Sequence, residues 1–124
     1  MEIVRRWLWA FENDVDAFRD TLHPEIEWFV IEENRRRLYG VEAAVRNRNE
    51  WLDTWEEHRI DLEEVIERGD NVVASLHITA TGKASGIETD VRFYPHAKIR
   101  DHRIVYIFDH QDRAAALKAA GLAE

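Results

Sequence analysis

Apolar positions in this chain switch between a helical period and a period of two, and the switches divide it into elements. From Glu2 to about Glu12, Ile3, Trp7, Ala10 and Phe11 fall on one face at helical spacing. Asn13 or Asp14 stands where it can cap a second, short helix with the stripe Val15, Phe18 and Leu22. Pro24 is expected to end that helix, because the residue before a proline is pushed out of the α region. Ile26, Trp28 and Val30 then alternate with Glu25, Glu27 and Phe29, the pattern of a short strand. A polar loop from Glu32 to Arg37 leads to Leu38-Tyr39-Gly40. Val41 to about His58 is the longest predicted helix, with Val41, Ala44, Val45, Arg48, Trp51, Leu52 and Trp55 along its stripe.

From Arg59 the period becomes two. Ile60, Leu62 and Ile66 mark a strand that runs to the turn Arg68-Gly69-Asp70-Asn71. Val72, Ala74, Leu76, Ile78 and Ala80 alternate with Val73, Ser75, His77 and Thr79. After a loop around Thr81 to Gly86, the chain returns through Val91, Phe93, Pro95, Ala97 and Ile99. The tight turn Arg100-Asp101-His102-Arg103 joins this strand to Ile104-Val105-Tyr106-Ile107-Phe108-Asp109-His110. That last strand is apolar on both faces, which predicts a central place in the sheet. Asp112 caps a closing helix that Gly121 stops. Helices first and a strand meander afterwards predict a single α+β domain over residues 1–124. Its curved, mostly antiparallel sheet has three helices laid across one side, and a conical hollow lies between the layers.

Asp109 stands out within this pattern. A carboxylate in an otherwise apolar strand must be paired, protonated or put to use, because stranding its charge away from water costs several kcal/mol. The structural alternative is an acid hydrogen-bonded to Trp28, Tyr39 or backbone amides. Trp28 and Tyr39 carry an N–H and an O–H that a bound carbonyl can accept. Trp51 and Trp55 share one face of the long helix, where core packing competes with ligand stacking.

Composition narrows the chemistry. The chain has 124 residues, 45% hydrophobic and 34% charged, as in ordinary globular domains. Cysteine is absent, which removes thiol nucleophiles, disulfides and thiolate metal sites. The six histidines are scattered, with no His-x-His or Glu-x-x-His spacing, so no metal site is expected. Ser75 and Ser85 lack a nucleophile-elbow setting, and no phosphate-cradling glycine loop is present. A net charge of −8, from 25 acids against 17 Lys and Arg, disfavours nucleic acid. The one basic cluster, Arg35-Arg36-Arg37, is flanked by Glu32, Glu33 and Glu42 and reads as a solvated loop with local ion pairs. No apolar run approaches the ~20 residues of a membrane span. Arg5 and Arg6 are followed by Glu12, Asp14 and Asp16 rather than by a secretory apolar stretch. A cytoplasmic location is the default expectation.

The ordered set of motifs resembles the NTF2-like, cystatin-like α+β cone proteins and, among them, the SnoaL-like proteins. The residues carrying the likeness are Ile3-Val4-Arg5-Arg6, Asn13 to Phe18, Leu22-His23-Pro24-Glu25-Ile26-Glu27-Trp28 and Leu38 to Ala43. Trp51, Trp55, the hairpin Lys98 to Ile104, Asp109 and Ala119 to Leu122 complete it. His102 stands where glycine is usual in that hairpin. The resemblance implies a mixed sheet, a pocket and an aspartate base at Asp109, acting beside a carbonyl or on a water. It also implies a homodimer through the outer sheet face, which carries Val73, Ser75, His77, Thr79, Arg92, Tyr94 and Lys98.

Departures from the relatives prune that implication. Trp28 and Pro95 stand near the two acids of the ketosteroid isomerases, and the first helix has no counterpart of their tyrosine. Leu76 and Ile78 replace the Arg-x-Asp pair of the limonene-epoxide-type hydrolases. SnoaL-type cyclases pair their aspartate with a histidine on the next strand, and His96 is the candidate. Alternation puts His96 with Arg92, Tyr94 and Lys98 on the other face, unless a bulge at Pro95 reverses the phase. The expectation is a small hydrophobic ligand in a pocket of Trp28, Tyr39, Trp51, Trp55, Leu76, Ile78, Phe93 and Ile107, with Asp109 and His96 as catalytic residues: Asp109 the acid–base group, and Trp28, Tyr39 or His96 a hydrogen-bond donor. Two classes stay open: a cyclase or isomerase that needs no cofactor, and a non-catalytic binding or dimerisation domain. A hollow filled by Trp51, Trp55 and Phe93 would mark a purely structural dimerisation module.

Overall fold

The computed structural model describes residues 2–30 and 36–122. Helix α1 (Glu2–Asn13) is followed by α2 (Val15–Asp20), β1 (Leu22–Val30), β2 (Arg36–Tyr39) and α3 (Val41–Thr54). Strands β3 (Trp55–Arg68), β4 (Asn71–Gly82), β5 (Glu88–Arg100) and β6 (Arg103–His110) form a meander, and α4 (Arg113–Ala119) closes the chain. The six strands make one sheet in the order β2-β1-β6-β5-β4-β3. β1 and β6 run parallel, and the other neighbours are antiparallel. The β6 strand thus lies inside the sheet, as its two apolar faces predict. Irregularities between Leu22 and Glu27, Trp55 and Glu57, Leu62 and Glu64, and Lys98 and Ile99 bend the sheet.

The main core joins α1, α2 and α3 to the inner face of the sheet. Phe18 and Leu22 are fully buried there, as are Ile26, Ile104 and Ile107. Arg48 is a polar member of this layer. Its Nε–H donates to the Phe11 carbonyl at 2.8 Å, and a terminal N–H reaches Asn49 Oδ1 at 2.9 Å. A cation on the last-turn carbonyls of α1 satisfies groups the helix leaves open and ties α1 to α3. Burial lowers the pKa of Arg48, against the opposing pull of Asp14.

Three boundaries differ from the sequence pattern. Asp14 caps α2 by accepting from the amides of Asp16 and Ala17, but the helix stops at Asp20, with Thr21 Oγ1 donating back to the Phe18 carbonyl at 2.7 Å. Leu22 opens β1, and Pro24 sits in that strand where its ladder to β6 is interrupted, a place that needs no amide donor. The long helix ends at Thr54, because Trp55 to His58 pair with Ala80 to Gly82 and extend β3. The loop expected from Glu32 to Arg37 is a strand where it can be described. Arg36 to Tyr39 pair with Glu27 to Val30 as β2, too short for alternation to mark, while Glu32 to Arg35 lie outside the described residues. The turn between β5 and β6 holds Asp101 and His102 at φ of 54° and 63°, the left-handed pair of a two-residue hairpin.

Helix α4 lies on the opposite face of the sheet. Ala116 and Ala120 pack there on Val73, with Tyr94 and Leu117 beside them. Part of the outer face expected to meet a second copy is therefore covered by the chain itself.

Candidate functional site

A cavity of about 130 Å³ lies between the helices and the inner sheet face. Every layer contributes to its wall. Trp7, Leu8 and Phe11 come from α1, Asn47 and Trp51 from α3, Trp28 and Val30 from β1, and Ile60, Leu76, Ile78 and Phe93 from β3 to β5. Asp109 comes from β6 and, among the described residues, is the only ionisable one in the lining. Its position follows from register. Asp109 pairs with Pro95 and Ile107 pairs with both Ala97 and Trp28, so this set points inward, while Tyr106, Phe108 and His110 point out.

Asp109 is 4% exposed, and Trp28 donates its indole N–H to Asp109 Oδ2 at 3.0 Å across 81 residues of sequence. A hydrogen bond to the carboxyl is what a buried acid requires, and an indole has one N–H to give. Trp28 is held in turn edge-on to Trp7, with ring centroids 5.8 Å apart. From Trp7 an aromatic chain runs through Phe11 to Trp51, with a tilted contact of 6.3 Å and then a T-shaped one of 5.5 Å near the cavity. Asn47, half-buried, is the other polar lining residue, and its Oδ1 accepts from Arg36 at 3.3 Å.

The cavity brings together Asp109, Trp28, Trp51, Leu76, Ile78 and Phe93 from the expected set. Four others lie elsewhere. His96 points to the outer face, as plain alternation gave, because β5 keeps its phase through Pro95. There it is 2% exposed, its Nε2–H donates to Asn71 Oδ1 at 2.8 Å, and its ring stands edge-on to Tyr106. It is therefore not the partner of Asp109. Tyr39 is 57% exposed on the edge strand under the Arg37 guanidinium, since Leu38 takes the inward position of β2. Trp55 belongs to β3 and lines a surface groove with Lys83, Ser85 and Ile87. Ile107 faces inward but sits one inward position deeper than Asp109, against a separate void of about 10 Å³. Alternation fixes the face of a side chain, not its depth along the strand.

Trp7, Leu8, Phe11, Val30, Asn47 and Ile60 line the cavity without having been singled out. For Trp7 and Phe11 the available signal was the apolar stripe of the first helix. Asn47 had none, since a polar residue on a helix flank reads as solvated.

The SnoaL-like domain family matches residues 4–107. The chain belongs to the SnoaL-like domain family. Solved structures agree on the fold of this SnoaL-like domain. It is 21% identical to an NTF2-like protein of unknown function from Burkholderia pseudomallei, with a TM-score of 0.79 over 97% of this chain and 95% of that one. A putative SnoaL-like polyketide cyclase from Jannaschia sp. CCS1 is 20% identical, with a TM-score of 0.78 over 99% and 92%. A hypothetical protein of ketosteroid isomerase-like fold from Catenulispora acidiphila, in complex with trimethylamine, is 17% identical with a TM-score of 0.78 over 98% and 93%. No curated protein matches. Among the described residues of the SnoaL-like domain, no helix is long and apolar enough to cross a membrane. No three His, Asp or Glu side chains gather there into a metal site either.

The buried His96 gives this SnoaL-like domain an acid-sensitive point outside the cavity. Burial, then the charges of Lys98 and His110, push its pKa down to about 4 from an ordinary 6.5. Between those values the unfolded chain binds a proton that the folded one refuses, so unfolding becomes easier as pH falls. The contribution is whole above pH 6.5 and lost below pH 4, up to about 3 kcal/mol at 1.36 kcal/mol per unit. Urea titrations at pH 7 and pH 4.5 are expected to show most of that loss, and His96→Gln to flatten it. An equal loss in the variant would assign the slope to other groups.

Proposed function

We propose that this domain is a proton-transfer enzyme of the cyclase or isomerase type, acting on a small carbonyl compound with Asp109 as the base. The supporting observation is the carboxyl itself: one buried acid in a mostly apolar cavity, oriented by the Trp28 N–H. A low-polarity surrounding favours transfer of a proton to a carboxylate, because the product acid is neutral. In the reaction Asp109 takes the proton from the carbon next to the carbonyl, and the bonding pair moves to the oxygen as an enolate. The enolate then re-protonates at the same or another carbon, or attacks an electrophile within the same molecule to close a ring. Proton and electron pair are conserved, so no co-reactant is required.

Incubation with single-ring ketones in D2O tests the reading. Deuterium is expected to enter the carbon next to the carbonyl faster with protein than in buffer, by NMR. Binding without exchange would leave a non-catalytic ligand carrier, and no binding at all would remove the cavity from consideration.

We infer further that a second copy of the chain docks on the outer sheet face not covered by α4. The basis is a half-buried aromatic stripe of Phe29, Tyr106 and Phe108, with Phe29 and Phe108 ring centroids 5.6 Å apart. Sedimentation equilibrium at micromolar concentration is expected to give twice the 14.7 kDa chain mass, and Phe108→Asp to return the single mass. A monomer in both would reject the contact.

A further inference from the structure

Trp7 carries a hydrogen-bond donor for which the fold has no use. The residue is 5% exposed, and its buried Nε1–H meets no acceptor among the described residues. Leaving such a donor unmade costs a native chain free energy, so it calls for an explanation. Trp7 stands between two voids. On one side is the space of about 10 Å³, lined by Val4, Val72, Ala74, Pro95 and other apolar residues. That is room for about one water, but it offers no second polar side chain, and an ordered buried water commonly makes about three hydrogen bonds. On the other side is the cavity that holds Asp109.

Among the other indoles, Trp9 is exposed, and Trp51 shares the cavity wall but is half-buried, whereas Trp7 is the cavity-lining indole whose N–H is buried without an acceptor among the described residues. The Trp28 N–H is committed to Asp109, and Trp55, whose Nε1 is also buried without a partner, lines a different groove. Size sets the second constraint. A dry apolar cavity of about 150 Å³ holds one benzene ring, whereas drug-sized ligands occupy about 300–1,000 Å³. At about 130 Å³ the cavity matches a single ring.

We propose that Trp7 is the oxygen-binding residue of this site, and that the ligand is a single-ring carbonyl compound of roughly six to nine non-hydrogen atoms. Its oxygen sits on Trp7 Nε1–H and the adjacent carbon at the Asp109 carboxyl. This rests on the proton-transfer reading and adds what that reading lacks, a donor for the charge that develops on the enolate oxygen. A fixed N–H in a water-poor cavity stabilises that charge more than it stabilises the neutral carbonyl.

Cyclohexanone and cyclohexane, alike in size and different in the oxygen, are the probes. In 15N-labelled protein with the indole resonances assigned, cyclohexanone is expected to move the Trp7 Nε1–H signal downfield, and cyclohexane is not. Trp7→Phe is expected to weaken cyclohexanone about 3- to 10-fold, as for one neutral hydrogen bond, with little change for cyclohexane. Should Trp7→Phe fail to fold, the titration of the unaltered chain still decides. Deuterium exchange into cyclohexanone with the Trp7 signal unmoved would overturn the Trp7 role and leave Asp109 standing. Binding of neither probe would overturn both. The bicyclic 1-tetralone binding as tightly as cyclohexanone would overturn the size limit.

Discussion

The Asp109→Asn protein is expected to lose about 10²- to 10⁴-fold in the rate of deuterium entry into cyclohexanone, the usual contribution of a positioned general base. Asparagine keeps the shape of the side chain and an oxygen for the Trp28 N–H, so the cavity wall stays in place. What it lacks is a lone pair basic enough to take a proton from carbon. Unfolding of the variant is expected to need at least as much urea as the parent, because burying a carboxyl is costly and an amide of equal size is less so. Loss of rate with unchanged stability separates a working base from a structural acid. A variant that keeps the rate, or one that unfolds, would assign Asp109 to the scaffold.

Phe18→Ala is expected to cost about 3–5 kcal/mol, the range for removing a fully buried phenylalanine. Phe18 is 0% exposed, with its ring 5.7 Å from Phe11 and 6.5 Å from Trp7. It is the single buried residue of α2, so the capped turn that Asp14 begins has little else to hold it on the core. For a domain whose whole stability is about 5–15 kcal/mol, the loss is a large fraction and is expected to lower the melting temperature by about 10–20 °C. Because Phe18 backs the two α1 rings that line the cavity, ligand affinity is expected to fall with it. A shift of only a few degrees would mean that α2 is held by its cap and by the Arg19–Glu42 ion pair instead.

How much of this was legible in the sequence depended on whether a local signal carried it. The inward phase of Trp28, Leu76, Phe93 and Asp109 was legible because alternation over long strands leaves one choice of face. His96 obeyed the same rule, and expecting it in the pocket required a bulge at Pro95 that the strand does not make. The register irregularity nearest to it falls between Lys98 and Ile99. The helix that stops at Thr54 could not be read, because Trp55 to His58 fit the helical stripe as well as the strand. What decides is their pairing with a segment some 25 residues later. Tyr39 was misplaced because four residues of β2 hold too few alternations to fix a phase. Trp7 was visible only as one more apolar position; that its N–H lacks an acceptor among the described residues is a property of the packed core.

The parallel pairing of β1 with β6 has a bearing on how the protein comes into being. Trp28 meets Ile107, and the strand holding Asp109 is the last to be made. Hairpins between successive strands close short loops, but joining these two closes one of about eighty residues, which is slow and entropically dear. During synthesis the β6 side of the first strand therefore waits until β6 has emerged. The hollow is consequently completed only when β6 arrives, and translation products cut short before that strand are expected to display aromatic surface in its place.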